Sequence, residues 1–355
     1  MKKLTLFSFL IIALASGLYF SKTLIEHAEG TSGSEIFHLY NWGDYIDPEL
    51  LDRFEEETGY QVVYETFDSN EAMYTKVQQG GTGYDLIVPS EYMIERMMEE
   101  NLVIPLDHSR IEGLEHIDED FLDLNFDPGN QYSIPYFWGT LGIAYNADLL
   151  EDPPASWEEL YDPKYEDRIL MIDGAREVIG IGLQTLGYSL NSKDAQELDA
   201  AAEKLVDLVP NMKALVADEI KMYMIQEEAA LAVTYSGEAA DMMWENEAIS
   251  YILPEEGSNL WFDNMVIPHT VQNEEAAYAF INFMLEPEVA AQNADYIGYS
   301  TPNKSAMEHL PEETIEDKQF YPSQDMIDDL EVYEDLGPEY TGLYNELFLE
   351  FKMFK

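Results

Sequence analysis

The 355-residue chain contains no cysteine. That excludes disulfides, thiolate metal sites, a cysteine nucleophile and a lipid-modified N-terminal cysteine. Basic residues are scarce: 18 Lys and Arg face 71 Asp and Glu, a formal net charge of −53. Such a surface repels nucleic acid and anionic lipid, which both need a basic face. A cationic ligand suits it, and so does a solvated acidic coat with no ligand role. After residue 22 there is no second long apolar run. Familiar catalytic signatures are missing too: there is no G-x-S-x-G elbow, H-E-x-x-H or Walker A loop. Gly180-Ile181-Gly182 is followed by Gly187, the wrong spacing for a dinucleotide loop, and reads as helix packing. His27, His38, His108, His116, His269 and His309 do not cluster in sequence. Asp123-x-Asn125-x-Asp127 opens like a calcium loop, but Gly129 falls one place late and Ile134 holds the twelfth position. With 71 acids, any one carboxylate pair says little about glycoside hydrolysis. No catalytic group, metal or cofactor is expected.

What is present begins with an ordinary 46% of apolar residues, so the charge does not signal disorder. The length suits two domains, each burying its own core. Lys2 and Lys3 precede the apolar run Leu4–Phe20, and Lys22 follows, the pattern of an export signal. Ala13-Leu14-Ala15 offers a small-residue cleavage site. The apolar run continues to Phe20, close to the roughly 20 residues that span a bilayer. A cleaved signal peptide and an uncleaved anchor therefore both remain open. Glu26–Glu35 reads as a polar tether, and the rest is expected outside the cytoplasm, in the periplasm or at the outer face of the membrane.

Beyond the tether the pattern alternates. Ile36–Tyr40, Tyr60–Phe67 and Tyr84–Val88 read as strands. Between and after them, helices start at Asp47-Pro48-Glu49, Ser69-Asn70-Glu71 and Pro89-Ser90-Glu91. A long β-like stretch, Tyr132–Tyr145, is broken by Trp138-Gly139. Strands at Ile169–Ile172, Leu231–Thr234 and Met265–Ile267 then alternate with helices at Ala175–Leu186, around Leu198–Leu208, from Gly237, and at Glu274–Leu285. The C-terminal stretch reads as helical and acidic. The expected fold is α/β, with two domains and a cleft at the carboxyl ends of the strands.

The strand ends pair aromatics with acids. Tyr40-Asn41-Trp42-Gly43-Asp44-Tyr45, Ser90-Glu91-Tyr92, Asp173-Gly174-Ala175-Arg176-Glu177, Tyr235-Ser236-Gly237-Glu238, Trp261-Phe262-Asp263 and Tyr299-Ser300-Thr301-Pro302-Asn303 all carry the combination. A protonated amine on a methylene chain needs such a mixture. A carboxylate restores the hydration an ammonium loses on burial, and flat aromatic walls cover the methylenes and attract the cation. The plain reading is that Glu91 and Glu238 are exposed helix-start charges favoured by the dipole. On the same plain reading Tyr45 and Tyr299 are ordinary core or rim residues, and Trp42 and Trp261 are core anchors.

Those same segments resemble the substrate-binding components of bacterial ABC importers for spermidine and putrescine, especially the Gram-positive members. The likeness runs from about Ile36 to near the C-terminus. It is carried by residues 40–46, Asp68-Ser69-Asn70-Glu71-Ala72-Met73-Tyr74, residues 84–90, Ser133-Ile134-Pro135-Tyr136-Phe137-Trp138-Gly139, Asp173–Val178, Trp261–Pro268 and Gly298–Asn303. The resemblance implies a type II periplasmic-binding-protein fold with its ligand cleft between the domains. Domain 1 would take residues 30–139 and 260–307, and domain 2 residues 140–259 and 308–355, after an N-terminal segment 1–29. It implies polyamine capture by cleft closure, an ABC permease as partner, a monomer, and no catalysis. Trp42, Tyr45 and Tyr299 would be aromatic walls, Asp44 and Glu177 acids for amines, and Ser90 and Tyr92 polar contacts. Trp261 and Asp263 would be the central ring and principal carboxylate. The sequence departs from the family at Tyr235, where relatives have Trp, at Gly174, where some have a second acid, and at Tyr333, where relatives have Gln. The last two changes leave polyamine preference open. The rivals are a binding protein for a sugar or an iron complex, an extracellular glycosidase, and an adhesin on the same fold.

Overall fold

The computed structural model describes residues 35–354 apart from 151, 218 and 328. The expected export segment and its cleavage site lie outside the described residues. Among these residues no helix is long and apolar enough to cross a membrane.

The chain opens as alternating strand and helix: β1 (Ile36–Trp42), α1 (Pro48–Thr58), β2 (Gln61–Phe67), α2 (Asn70–Gln79), β3 (Leu86–Ile87) and α3 (Glu91–Glu99). The helix starts follow from local chemistry. Asp47 accepts from the Glu49 N–H, Pro48 stands in the first turn, and Gly59 ends the helix at φ +79. Ser69 caps α2 by accepting from Ala72. Next comes β4 (Ser133–Asn146), 14 residues long. Then follow β5 (Ile169–Ile172), α4 (Ala175–Thr185), α5 (Ala195–Val206), β6 (Met212–Val216), α6 (Ile220–Ile225), β7 (Leu231–Tyr235), α7 (Ser236–Glu245) and β8 (Ile249–Ile252). The chain returns through β9 (Asn259–Val266), α8 (Glu274–Leu285), α9 (Pro287–Ile297) and β10 (Glu331–Val332), and ends in a long helix, Gly337–Lys352.

The strands run in the order β2-β1-β3-β9-β4-β7-β5-β6. β1 pairs in parallel with β2 and β3, and β5 with β6 and β7. β4 joins the two groups. Its residues Ser133–Thr140 pair antiparallel with β9, and Leu141–Asn146 with β7 and β8. Trp138-Gly139 does not break this strand: Gly139 lies opposite Trp261, and the only register shift is at Pro135/Phe137. β9 starts at residue 259, six residues before its expected start, so Trp261 and Asp263 sit inside a buried strand.

Separate apolar cores form on the two sides of this crossing. Phe37, Leu39, Phe54, Phe280 and Phe283 lie in one. Trp157, Ile179, Leu205 and Val233 lie in the other, joined there by Tyr344, Leu347 and Phe351 of the last helix. The C-terminal stretch divides between them, since β10 pairs with β9. Gly182 does serve helix packing, since a Cβ there would lie 2.8 Å from the Ala201 carbonyl oxygen of α5, whereas Gly180 makes room for Leu190 of the following loop.

Candidate functional site

Asp263 stands at the centre, only 5% exposed. Its Oδ2 accepts a 2.7 Å hydrogen bond from the Tyr45 hydroxyl, and its Oδ1 a 2.6 Å bond from Ser90 Oγ. Ser90 occupies the cap position of α3 but makes no side-chain capping bond. Its hydroxyl points at Asp263 instead, and Asn70 holds it there, donating to Ser90 Oγ at 3.0 Å and accepting from its N–H at 3.1 Å. Burial pushes the Asp263 carboxyl up to about 6, against the two hydroxyl donors, which favour the ionised form.

Trp261 lies two residues before Asp263 and so shares its face of β9. The Tyr299 ring meets it edge-on at 5.0 Å, and the Tyr235 ring at 6.0 Å. Tyr45 packs on Tyr299 at 5.5 Å. Glycines make room for these rings. A Cβ on Gly139 would overlap the Trp261 indole and lie 2.7 Å from Ser236 Oγ, and one on Gly237 would overlap the Tyr299 ring. The Trp261 Nε1–H is buried with no protein acceptor among the described residues.

A second carboxylate, Glu177, projects from the first turn of α4. Its Oε1 accepts a 2.8 Å bond from the Tyr235 hydroxyl. Burial raises its carboxyl above the ordinary value, while its own backbone N–H, Tyr235 and the Arg176 charge oppose that rise. Tyr92 of α3 faces Tyr333 edge-on at 6.3 Å, and the Arg176 guanidinium covers the Tyr333 ring at 4.2 Å. The Tyr92 hydroxyl donates to Glu71 at 3.3 Å. Tyr92 belongs with the strands of β1–β3, whereas Glu177 follows β5, so the walls of the cleft come from both sides of the β4 crossing.

Eight of the ten expected site residues therefore fall together: Tyr45, Ser90, Tyr92, Glu177, Tyr235, Trp261, Asp263 and Tyr299. Trp42 and Asp44 are placed differently. Trp42 is half-buried against Phe67 at 4.5 Å, and Asp44 is exposed, in a left-handed turn at φ +48. Glu91 corrects an expectation. It is not an exposed helix-start charge but fully buried, because the first turn of α3 lies under β9. Its Oε2 accepts from the Phe262 N–H at 2.9 Å. Burial pushes its carboxyl up to about 8. Glu238 is half-buried and pairs with Lys221 at 3.3 Å. Asn70 and Arg176 were not singled out as site residues, although both lie in segments that carry the family likeness, residues 68–74 and 173–178. The calcium-like loop has a structural use: Asp127 accepts from the N–H groups of Gln131, Tyr132 and Ser133 and from Ser133 Oγ. No cluster of three or more His, Asp or Glu suited to a metal occurs among the described residues.

The two groups of α/β strands joined through β4 have the type II periplasmic-binding fold of solute-binding proteins. The chain belongs to the bacterial extracellular solute-binding protein family, whose pattern it matches over residues 49–322. It is 37% identical to the spermidine/putrescine-binding periplasmic protein of Escherichia coli over 342 residues, covering 96% of this chain and 97% of that one. A putative spermidine/putrescine ABC transporter structure from Listeria monocytogenes superposes with a TM-score of 0.87 at 56% identity, covering 91% and 100% of the two chains. The spermidine/putrescine ABC transporter substrate-binding protein PotD from Streptococcus pneumoniae superposes at 0.83 with 60% identity, covering 90% and 99%.

Proposed function

We propose that this protein captures polyamines, spermidine or putrescine, outside the cytoplasm and presents them to an ABC permease, without catalysing a reaction on them. The observation that carries the reading is Asp263: a buried carboxylate held between two hydroxyl donors, with Trp261 on the same strand face and Tyr45 and Tyr299 beside it. An ammonium placed there gains a charge-assisted hydrogen bond, and the attached methylenes gain aromatic walls. Glu177, on the other side of the cleft, suits a second amine of the same chain. A sugar would gain little from two buried acids. The relatives named for spermidine and putrescine support the same choice.

In this reading the domains are residues 30–139 with 260–307 and residues 140–259 with 308–355, the short β10 excepted. They hinge where β4 passes from one partner strand to the next. Contacts to both lobes are complete only when the cleft is shut, so ligand shifts the population toward the closed form. Residues 1–29 serve export, as a cleaved signal or a retained anchor. The test is a tryptophan-fluorescence titration. Spermidine and putrescine should change the emission saturably, since Trp261 lines the cleft, and a disaccharide should not. A saturable response to the disaccharide alone would overturn the assignment.

A further inference from the structure

We propose that Glu91 is a further ligand carboxylate of this cleft, one that releases its proton to solvent as an ammonium group of the ligand settles beside Oε1. The inference rests on the polyamine reading above and extends it to a residue outside the expected contact set. Glu91 is fully buried, in the first turn of the nine-residue helix α3, directly after Ser90. One oxygen has a structural task, since Oε2 accepts the Phe262 N–H. The other does not: Oε1 is buried with no hydrogen-bond partner among the described residues. A carboxylate whose only role was to satisfy Phe262 would need one oxygen, and an amide would serve as well.

The groups that face Glu91 come from three directions. Burial disfavours its charge most, the backbone N–H groups of Phe262 and of Glu91 itself favour it, Asp263 of β9 disfavours it and Arg176 of α4 favours it. Tyr333, whose own hydroxyl is buried without a hydrogen-bond partner among the described residues, feels the Glu91 charge together with that of Glu177. Arg176, which also donates to the Glu334 carbonyl and the Asn191 side chain, carries one positive charge and acts on Glu91 and Glu177 alike, so it cannot offset all the carboxyl groups around it. Three carboxyl groups, Asp263, Glu177 and Glu91, thus lie within electrostatic reach of one another or of Arg176. Burial keeps Glu91 protonated near neutral pH. An arriving ammonium reverses the balance: the O–H bond of the acid breaks, the proton leaves to water, and the carboxylate pairs with the cation. Three acids also match the three amines of spermidine better than the two of putrescine.

The test is calorimetric titration of spermidine into the wild type and Glu91→Gln at pH 7, in phosphate and in Tris, whose ionisation enthalpies differ. Glutamine keeps an acceptor for Phe262, and thermal melting checks that the variant is folded. The wild type should release close to one proton per ligand, and the variant nearly none. The ratio of wild-type to variant affinity should rise about tenfold per pH unit between about pH 6 and pH 7. The ligand's own titration, and that of Asp263, cancel in the ratio. Putrescine affinity should change less than spermidine affinity. Equal proton release and equal spermidine affinity in the two proteins would overturn the role of Glu91 and leave the polyamine reading intact. If the variant does not fold, proton release by the wild type decides alone, and a value near zero overturns the proposal. A wild type that binds no polyamine would remove the functional reading, and this inference with it.

Discussion

Gly174 and Glu177 share one volume: a Cβ at position 174 would overlap the Glu177 carboxylate, which folds back over the turn before α4. In this pose the Glu177 carboxylate fills the space beside position 174 and accepts from the Tyr235 hydroxyl. A second acid at 174 and the present pose of Glu177 exclude one another. Gly174→Ala should displace the Glu177 carboxylate from this pose with little change in stability, and lower putrescine and spermidine affinity about tenfold, the scale of one weakened charge-assisted hydrogen bond. Calorimetry checks it. Unchanged affinity would mean that Glu177 does not hold an amine in this pose.

Asp263→Asn should move affinity and stability in opposite directions. The bound ammonium loses its counter-charge, a change of about 3–5 kcal/mol, or at least about a hundredfold in affinity. Stability should rise. The folded-state value of Asp263 lies at about 6, above the ordinary carboxyl value of 3.8. The native state therefore holds its proton more tightly than the unfolded chain. The ionised, buried group destabilises the fold by roughly 3 kcal/mol above pH 6, and that penalty vanishes as pH falls below about 4. Denaturant melts should show the variant more stable than wild type at pH 7 and equal to it near pH 4. A variant less stable at pH 7 would contradict the strain assigned to this carboxylate.

Tyr333→Phe removes a buried hydroxyl that has no hydrogen-bond partner among the described residues. Leaving such a group unsatisfied costs about 1–3 kcal/mol. The variant should therefore unfold at higher denaturant concentration than wild type. A lower midpoint would show that the hydroxyl is satisfied.

Much of this architecture was legible in sequence. Ile169–Ile172 and Glu274–Leu285 match their elements residue for residue, since β-branched runs and amphipathic stripes with clear caps leave little choice. Tyr84–Val88 shrank to Leu86–Ile87, and the start of β9 was missed because its partners are distant in sequence. Asp263, Ser90 and Tyr45 could be named individually, but their bonds span 173 and 218 positions and only the folded sheet brings them together. Glu91 illustrates the limit. A glutamate at a helix start is ordinarily solvated, and nothing local reveals that β9 lies over it.

The acid count exceeds what the site uses. Asp263, Glu177 and Glu91 are three of 71 acidic residues, and most of the rest belong to a surface with few cations to pair them. Mutual repulsion on that surface is screened by salt, over about 10 Å at 0.1 M. The melting temperature should therefore climb as sodium chloride is raised from about 0.01 M to 1 M, while the association rate with a polycation falls. Equal stability at both ends of the range would show that the acidic coat carries no net repulsive cost.

The central claim is that the Asp263 cleft takes a polyamine. It is tested most directly by calorimetric titration of the wild-type protein and Asp263→Asn with spermidine, with a disaccharide as control. The account predicts saturable one-to-one binding of spermidine by the wild type, a loss of at least about a hundredfold in the folded variant, and no heat from the sugar. No heat with spermidine or putrescine in the wild type, or equal affinity in both proteins, would contradict it.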